Sequence, residues 1–278
     1  MKRRFHQLDV FSARPLLGNP LAVVHAAAGI SDATMAAFAR WTNLSETTFL
    51  LPPSDPAADY HVRIWTPGGE LPFAGHPTLG SCHAWLAAGG RAKQSGMVVQ
   101  QCGVGLVRIR QSGGRLAFGA PPRRRTGPLD DALLARILEG TGLARDDVLH
   151  HQWVDNGPGW CAVMLRSAAQ VLAVRGRSEP LRGIKLGLVG PHPAGSECAF
   201  ELRALYHDTE ALTEDPVTGS LNASVAQWLI ESGLAPASYV AAQGTALQRA
   251  GRVHIEQIGD TVWVGGDVAI CIEGEVEI

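Results

Sequence analysis

The hydrophobic and polar positions along this chain follow one order twice. Tyr60-His61-Val62-Arg63-Ile64 and Phe200-Glu201-Leu202-Arg203-Ala204 alternate as half-buried strands do. Downstream, Gly75-His76-Pro77 leads into Leu79 to Ala88 and Gly89, and Gly219-Ser220-Leu221 leads into Ala223 to Ser232 and Gly233. Each predicts a helix closed by glycine. Both are apolar along most of their length, through Leu79, Cys82, Ala84, Trp85 and Leu86 in one and Val225, Ala226, Trp228, Leu229 and Ile230 in the other. A helix apolar nearly all round is a buried helix. Finally, Gly105-Leu106-Val107-Arg108-Ile109 with Gly113 and Leu116 to Gly119 aligns with Gly251-Arg252-Val253-His254-Ile255 with Gly259 and Val262 to Gly265. Both read as strand, tight turn, strand.

Three segments agreeing in order at a near-constant offset predict a duplicated fold, although hairpins also resemble one another by chance. The expected architecture is α+β: two pseudo-symmetric lobes, each a strongly bent, barrel-like mixed sheet around one central helix. The lobes are expected at 1–120 and 121–266, joined near Ala120 to Pro128, with a C-terminal strand of about 267–278 as a candidate to return to the first. The two helix starts, Gly75-His76 and Gly219-Ser220, are expected to meet where the lobes face each other.

Composition narrows the class. At 278 residues, 46% hydrophobic and 18% charged, the chain falls in the globular range. A formal net charge of -2 predicts no general affinity for nucleic acid. The basic start Met1 to His6 lacks the apolar stretch of a signal peptide, and no run approaches transmembrane length, so no membrane association is expected. Five scattered cysteines without a CxxC pair suggest neither a disulfide framework nor a zinc site, and a reduced, cytoplasmic protein is expected.

The candidate chemistry gathers at the repeated helix starts. Unpaired backbone N–H groups and a partial positive charge make a helix N-terminus a socket for a carboxylate. A small anionic substrate is expected. Three groups able to handle protons stand near: Glu46 in Leu44-Ser45-Glu46-Thr47-Thr48-Phe49, His76, and Asp215 in Glu214-Asp215-Pro216-Val217-Thr218. Proton transfer beside a carbonyl or alkene needs a base tuned near neutrality and donors for the developing charge. Taken singly, Asp215 also reads as a turn residue before proline, His76 as a capping group and Glu46 as a surface carboxylate. No GxSxG elbow occurs, Gly103-Val104-Gly105 opens a hairpin rather than a helix, and no histidine pair has metal-ligand spacing. No metal or organic cofactor is expected.

Gly18-Asn19-Pro20-Leu21-Ala22-Val23-Val24, Ser45-Glu46-Thr47-Thr48-Phe49, Arg63-Ile64-Trp65-Thr66-Pro67, Glu70 to Thr78, Glu214 to Ser220, and Gln243-Gly244 together resemble the PhzF-like (phenazine biosynthesis) family, of the diaminopimelate epimerase-like fold, across nearly the whole chain. The resemblance implies a metal-independent isomerase, Glu46 as proton carrier with His76 and Asp215 as catalytic partners, and a substrate site lined by Asn19, Ser45, Gly75, Gly219 and Ser220. It also implies a homodimer. The activity named for the family is a proton shift on a dihydro-hydroxyanthranilate. Racemases and epimerases of this fold carry a cysteine at each helix start, and this chain has none there. An epimerase or racemase of a small acid, and a non-catalytic small-anion-binding protein, are the alternative readings.

Overall fold

The computed structural model describes residues 1–208 and 211–278 and divides into two compact units, Met1–Gly119 with Gly265–Ile278, and Ala120–Val264. In the first, β1 (Lys2–Val10) pairs antiparallel with β2 (Asn19–Val24). The chain then crosses through α1 (Asp32–Thr42) to β3 (Thr47–Leu51), which runs parallel to β2. A parallel pair needs such a crossover. β4 (Tyr60–Thr66) pairs antiparallel with β3 and turns into the short β5 (Gly69–Leu71). After α2 (Gly75–Ala87), β6 (Met97–Cys102) runs parallel to β4 and continues through β7 (Gly105–Ser112) into β8 (Arg115–Gly119).

The second unit opens with α3 (Asp131–Thr141) and then repeats that order as β9 (Val148–Trp153), β10 (Trp160–Leu165), α4 (Ala168–Ala173), β11 (Lys185–Pro191), β12 (Phe200–Asp208), β13 (Ala211–Asp215), α5 (Gly219–Glu231), β14 (Ser238–Gln243), β15 (Gly251–Ile258) and β16 (Thr261–Gly266). The pairings repeat with it: β9 with β10 antiparallel, β10 with β11 parallel, β12 antiparallel to β11 and β13, β14 parallel to β12 and antiparallel to β15. β17 (Val268–Glu277) belongs to the first unit and pairs antiparallel with β1. The duplication is thus longer than the sequence pattern, which did not include the strand–helix–strand at the head of each unit.

The expected α+β arrangement is present, and α2 shows why its helix is apolar all round. It packs on β1, β2 and β3, on β6 and β8, and on β17, so the sheet of the first unit wraps it. The close approach rests on a small residue of the helix: a Cβ on Gly80 would stand 2.5 Å from Leu21 Cδ2. In the second unit, Ile137, Leu165, Val171, Leu186 and Leu188 are fully buried in one core cluster. Among the described residues no helix is long and apolar enough to cross a membrane.

One ion pair is built twice. Arg63 in β4 clasps Glu70 of β5 through Nε and Nη2 at 2.7 and 2.6 Å, and Arg203 in β12 clasps Glu214 of β13 at 3.0 and 2.8 Å. The third guanidinium nitrogen ties each hairpin to its neighbouring helix, Arg63 to Asp32 of α1 and Arg203 to the Val171 and Val174 carbonyls at α4. Each pair fixes the short hairpin that delivers the chain to a central helix start.

Candidate functional site

The N-termini of α2 and α5 differ from the other α-helix starts. Ser31, Asp130 and Ser167 cap α1, α3 and α4 by accepting from first-turn amides, whereas Ala74 and Thr218, at the N-caps of α2 and α5, make no side-chain cap hydrogen bond. A helix start without a capping side chain keeps its donors for another acceptor.

In the first unit three predicted residues form a chain. α1 ends on Asn43 in the left-handed region, a conformation asparagine tolerates, and Leu44-Ser45-Glu46 then leads into β3. Buried Thr47 and Thr48 anchor that strand, Thr48 Oγ1 bonding to the Ala22 carbonyl and receiving Ser81 Oγ of α2 at 2.9 Å. Glu46 Oε2 thereby stands 3.4 Å from Nε2 of His76, the second residue of α2. On the other side of the ring, Asn19 Nδ2, at the first position of β2, lies 3.4 Å from Nδ1. Buried Asp9 accepts from Gly18 N–H at 3.3 Å and so holds the entry to β2. Burial pushes the His76 imidazole down to about 3, against the opposing pull of the Pro20 carbonyl. The ring is neutral at physiological pH. Ser45 is exposed on the loop beside Glu46, and Gly75 is buried at the first position of α2.

The second unit carries the counterpart. Asp215 ends β13, and its Oδ2 accepts from Thr218 Oγ1 at 2.6 Å. Gly219 and Ser220 are the first two residues of α5. Ser220 Oγ accepts from Trp160 Nε1 at 3.0 Å, and its carbonyl accepts from Asn156 Nδ2 at 2.9 Å. The second residue of each central helix, His76 or Ser220, is therefore held by side chains at or just before the entry to the unit's second strand, Asn19 or Asn156 with Trp160. The sequence reading missed Trp160 and Asn156. The only signal was their place beside a Gly-Pro-Gly turn, Gly157-Pro158-Gly159, where Asp155 Oδ1 accepts from two glycine amides.

All five cysteines are free, and burial raises the thiols of Cys82, Cys102, Cys161 and Cys198. None of the four is placed for thiolate chemistry. Among the described residues, no three His, Cys, Asp or Glu side chains converge in a metal-holding group.

The family model for phenazine biosynthesis-like protein, PhzC-PhzF, matches residues 8–274. Antisense-enhancing sequence 1 of Schizosaccharomyces pombe is 32% identical over 294 residues, covering 98% of this chain and 97% of its own length. An isomerase of Pasteurella multocida is 29% identical over 98% of this chain and 93% of its own length. A shorter match, 47% identical over 81 residues and 29% of each chain, is the trans-2,3-dihydro-3-hydroxyanthranilate isomerase of Pseudomonas aeruginosa. Among solved structures, a phenazine biosynthesis protein of the PhzF family from Enterococcus faecalis superposes with a TM-score of 0.83 at 19% identity, covering all of both chains. A predicted epimerase from Pseudomonas aeruginosa superposes with a TM-score of 0.79 at 30% identity, covering 99% of both.

Proposed function

The chain belongs to the phenazine biosynthesis-like (PhzC-PhzF) family, its relatives include proteins named as isomerases and a predicted epimerase, and we propose that it moves a proton on a small carboxylated metabolite, without metal or organic cofactor, using Glu46 as the acid–base group. The observation that carries the proposal is the 3.4 Å approach of Glu46 to a buried, neutral His76 at an uncapped helix start.

A proton carrier must visit both of its states within one turnover. A cationic partner would hold Glu46 ionised; a neutral imidazole serves either state. With Nε2 protonated it donates to the carboxylate, and in the other tautomer it accepts from the carboxylic acid. Within the second unit, the amides at the start of α5 and the Ser220 hydroxyl are assigned to the substrate carboxylate. Since Ser220 Oγ already accepts from Trp160, its own proton is left to donate. Asp215 and Ser220 are assigned to the same reaction as Glu46 by the motif and the repeat, not by a measured distance. By family resemblance the assembly is assigned as a homodimer, which sedimentation equilibrium tests.

The second reading, epimerisation of a small acid, is favoured by the whole-length similarity to the predicted epimerase. Reaction in deuterium oxide separates the two. Isomerisation of trans-2,3-dihydro-3-hydroxyanthranilate, the compound named for the relative, or of another dihydro acid gives a product with a shifted double bond and deuterium at the new C–H position. Epimerisation exchanges the α-proton and inverts the centre. A chain that exchanges no carbon-bound proton in any small carboxylate overturns both.

A further inference from the structure

Gln243, the last residue of β14, is fully buried and has all of its amide engaged. Its Oε1 accepts from the Thr218 N–H at 3.0 Å and from Asn222 Nδ2 at 2.7 Å, while its Nε2 donates to the Asp215 carbonyl at 3.1 Å and to Thr218 Oγ1 at 3.0 Å. A backbone N–H can only donate and a carbonyl can only accept, so the amide has one possible orientation. Thr218 Oγ1, which accepts from Gln243, then has its own proton to donate to Asp215 Oδ2. Donors run in one direction, from Gln243 through Thr218 to Asp215.

The first unit builds the same backbone frame without that amide. Pro72 and Pro216 stand at matching places before Gly75 and Gly219. A Cβ on Gly103 would meet Pro72 Cα at 2.7 Å, and one on Gly244 would meet the Pro216 carbonyl oxygen at 2.7 Å. Each glycine follows the last residue of a strand in the same register, Cys102 in β6 and Gln243 in β14, with Tyr60 opposite Gln100 and Phe200 opposite Ala241. Cys102 thus holds the place of Gln243, and Leu71 that of Asp215. The turn and the helix start need neither the amide nor the acid. The amide occurs in the unit whose turn carries the carboxylate.

We infer that Gln243 is a positioning residue for the reaction, fixing through Thr218 where the Asp215 carboxylate stands; the inference rests on the role proposed above for Asp215. A merely structural amide would act on stability alone, so the test compares kinetics with stability in Gln243→Leu, Thr218→Val and the double variant of the whole chain. With trans-2,3-dihydro-3-hydroxyanthranilate as substrate, each single change is expected to lower kcat roughly 10-fold to 100-fold with KM moved by less than about 3-fold, and the double variant to be no slower than the slower single, as members of one network behave. Thr218→Val deletes only the hydroxyl, so it reads the Asp215 link even if Gln243→Leu fails to fold. Unchanged kcat in a folded Thr218→Val, or losses that multiply in the double variant, overturn the inference. If the native chain leaves that compound unchanged, the substrate assignment fails separately, and crystal structures of the variants decide. An Asp215 carboxylate displaced from its native place supports the positioning role, and one that keeps its place overturns it.

Discussion

His76 Nε2 and Glu46 Oε2 stand 3.4 Å apart, a close approach of a carboxylate oxygen to an imidazole that burial keeps neutral, rather than an ion pair. The pair joins a loop before β3 to the second residue of α2, and its geometry depends on the parallel pairing of β2 with β3 that places Ala22 opposite Thr47.

Glu46→Gln is expected to lower kcat by about 10²-fold to 10⁴-fold, the usual worth of a positioned acid–base group, with substrate binding largely kept. Glutamine has the same shape but cannot take the proton. Steady-state kinetics with calorimetric binding of the same substrate checks it. Full turnover in Glu46→Gln with loss in Asp215→Asn would move the acid–base role to Asp215.

Much of this site was legible in the chain because its elements announce themselves locally. Glycines bracket α2 and α5, and the hairpins carry their own turns. What was not legible depends on contacts between distant segments. Trp160 reaches Ser220 across 60 positions, and Gln243 reaches Thr218 across 25. Nothing in the period or composition around Trp160 distinguishes a tryptophan that fills a core from one whose indole proton orients a hydroxyl. The strand–helix–strand at the head of each unit was hidden for another reason. α1 and α4, 11 and 6 residues long, share no sequence pattern, so only the strand pairings reveal that they are equivalent.

Ser220→Ala removes the donor assigned to the substrate carboxylate and is expected to weaken binding by about 1 kcal/mol, roughly 5-fold, with little change in kcat. Trp160→Phe keeps an aromatic six-membered ring and deletes the N–H with the pyrrole part of the indole, so a folded variant should weaken binding in the same direction and by no more. A double-mutant cycle read by calorimetry checks the link. Additive losses would mean that Trp160 does not act through Ser220.

Stability should fall as the solution is acidified below about pH 6.5. Burial lowers His76 to about 3, and lowers His25 to about 4 with help from neighbouring His6 and Arg4, against the pull of Glu273. A histidine whose folded pKa lies below its unfolded value is protonated more readily in the unfolded chain between the two. Its contribution is complete above about pH 6.5 and is lost towards pH 4 for His25 and pH 3 for His76, at up to about 1.4 kcal/mol per pH unit for each group. Urea melts at pH 7.5, 6 and 5 measure the slope. Stability that holds steady or rises on acidification through this window would show that neither ring is kept neutral by the fold.

The duplicated arginines permit a controlled comparison of the same interaction at two depths. Arg203 and Glu214 leave only 7% and 10% of their side chains exposed, against 20% and 37% for Arg63 and Glu70. Arg203→Met strands the Glu214 carboxylate and the Val171 and Val174 carbonyls that the guanidinium serves, so it should cost about 3–5 kcal/mol, the range for breaking a buried pair. Arg63→Met leaves Glu70 and the mostly exposed Asp32 to water and should cost only about 1 kcal/mol. Denaturant unfolding of the two variants gives the difference directly. Removing both members of the buried pair, in Arg203→Met with Glu214→Leu, should recover part of the loss, since the stranded charge goes with its partner. Equal costs at the two positions would mean that hairpin register, common to both units, sets the energy and burial does not.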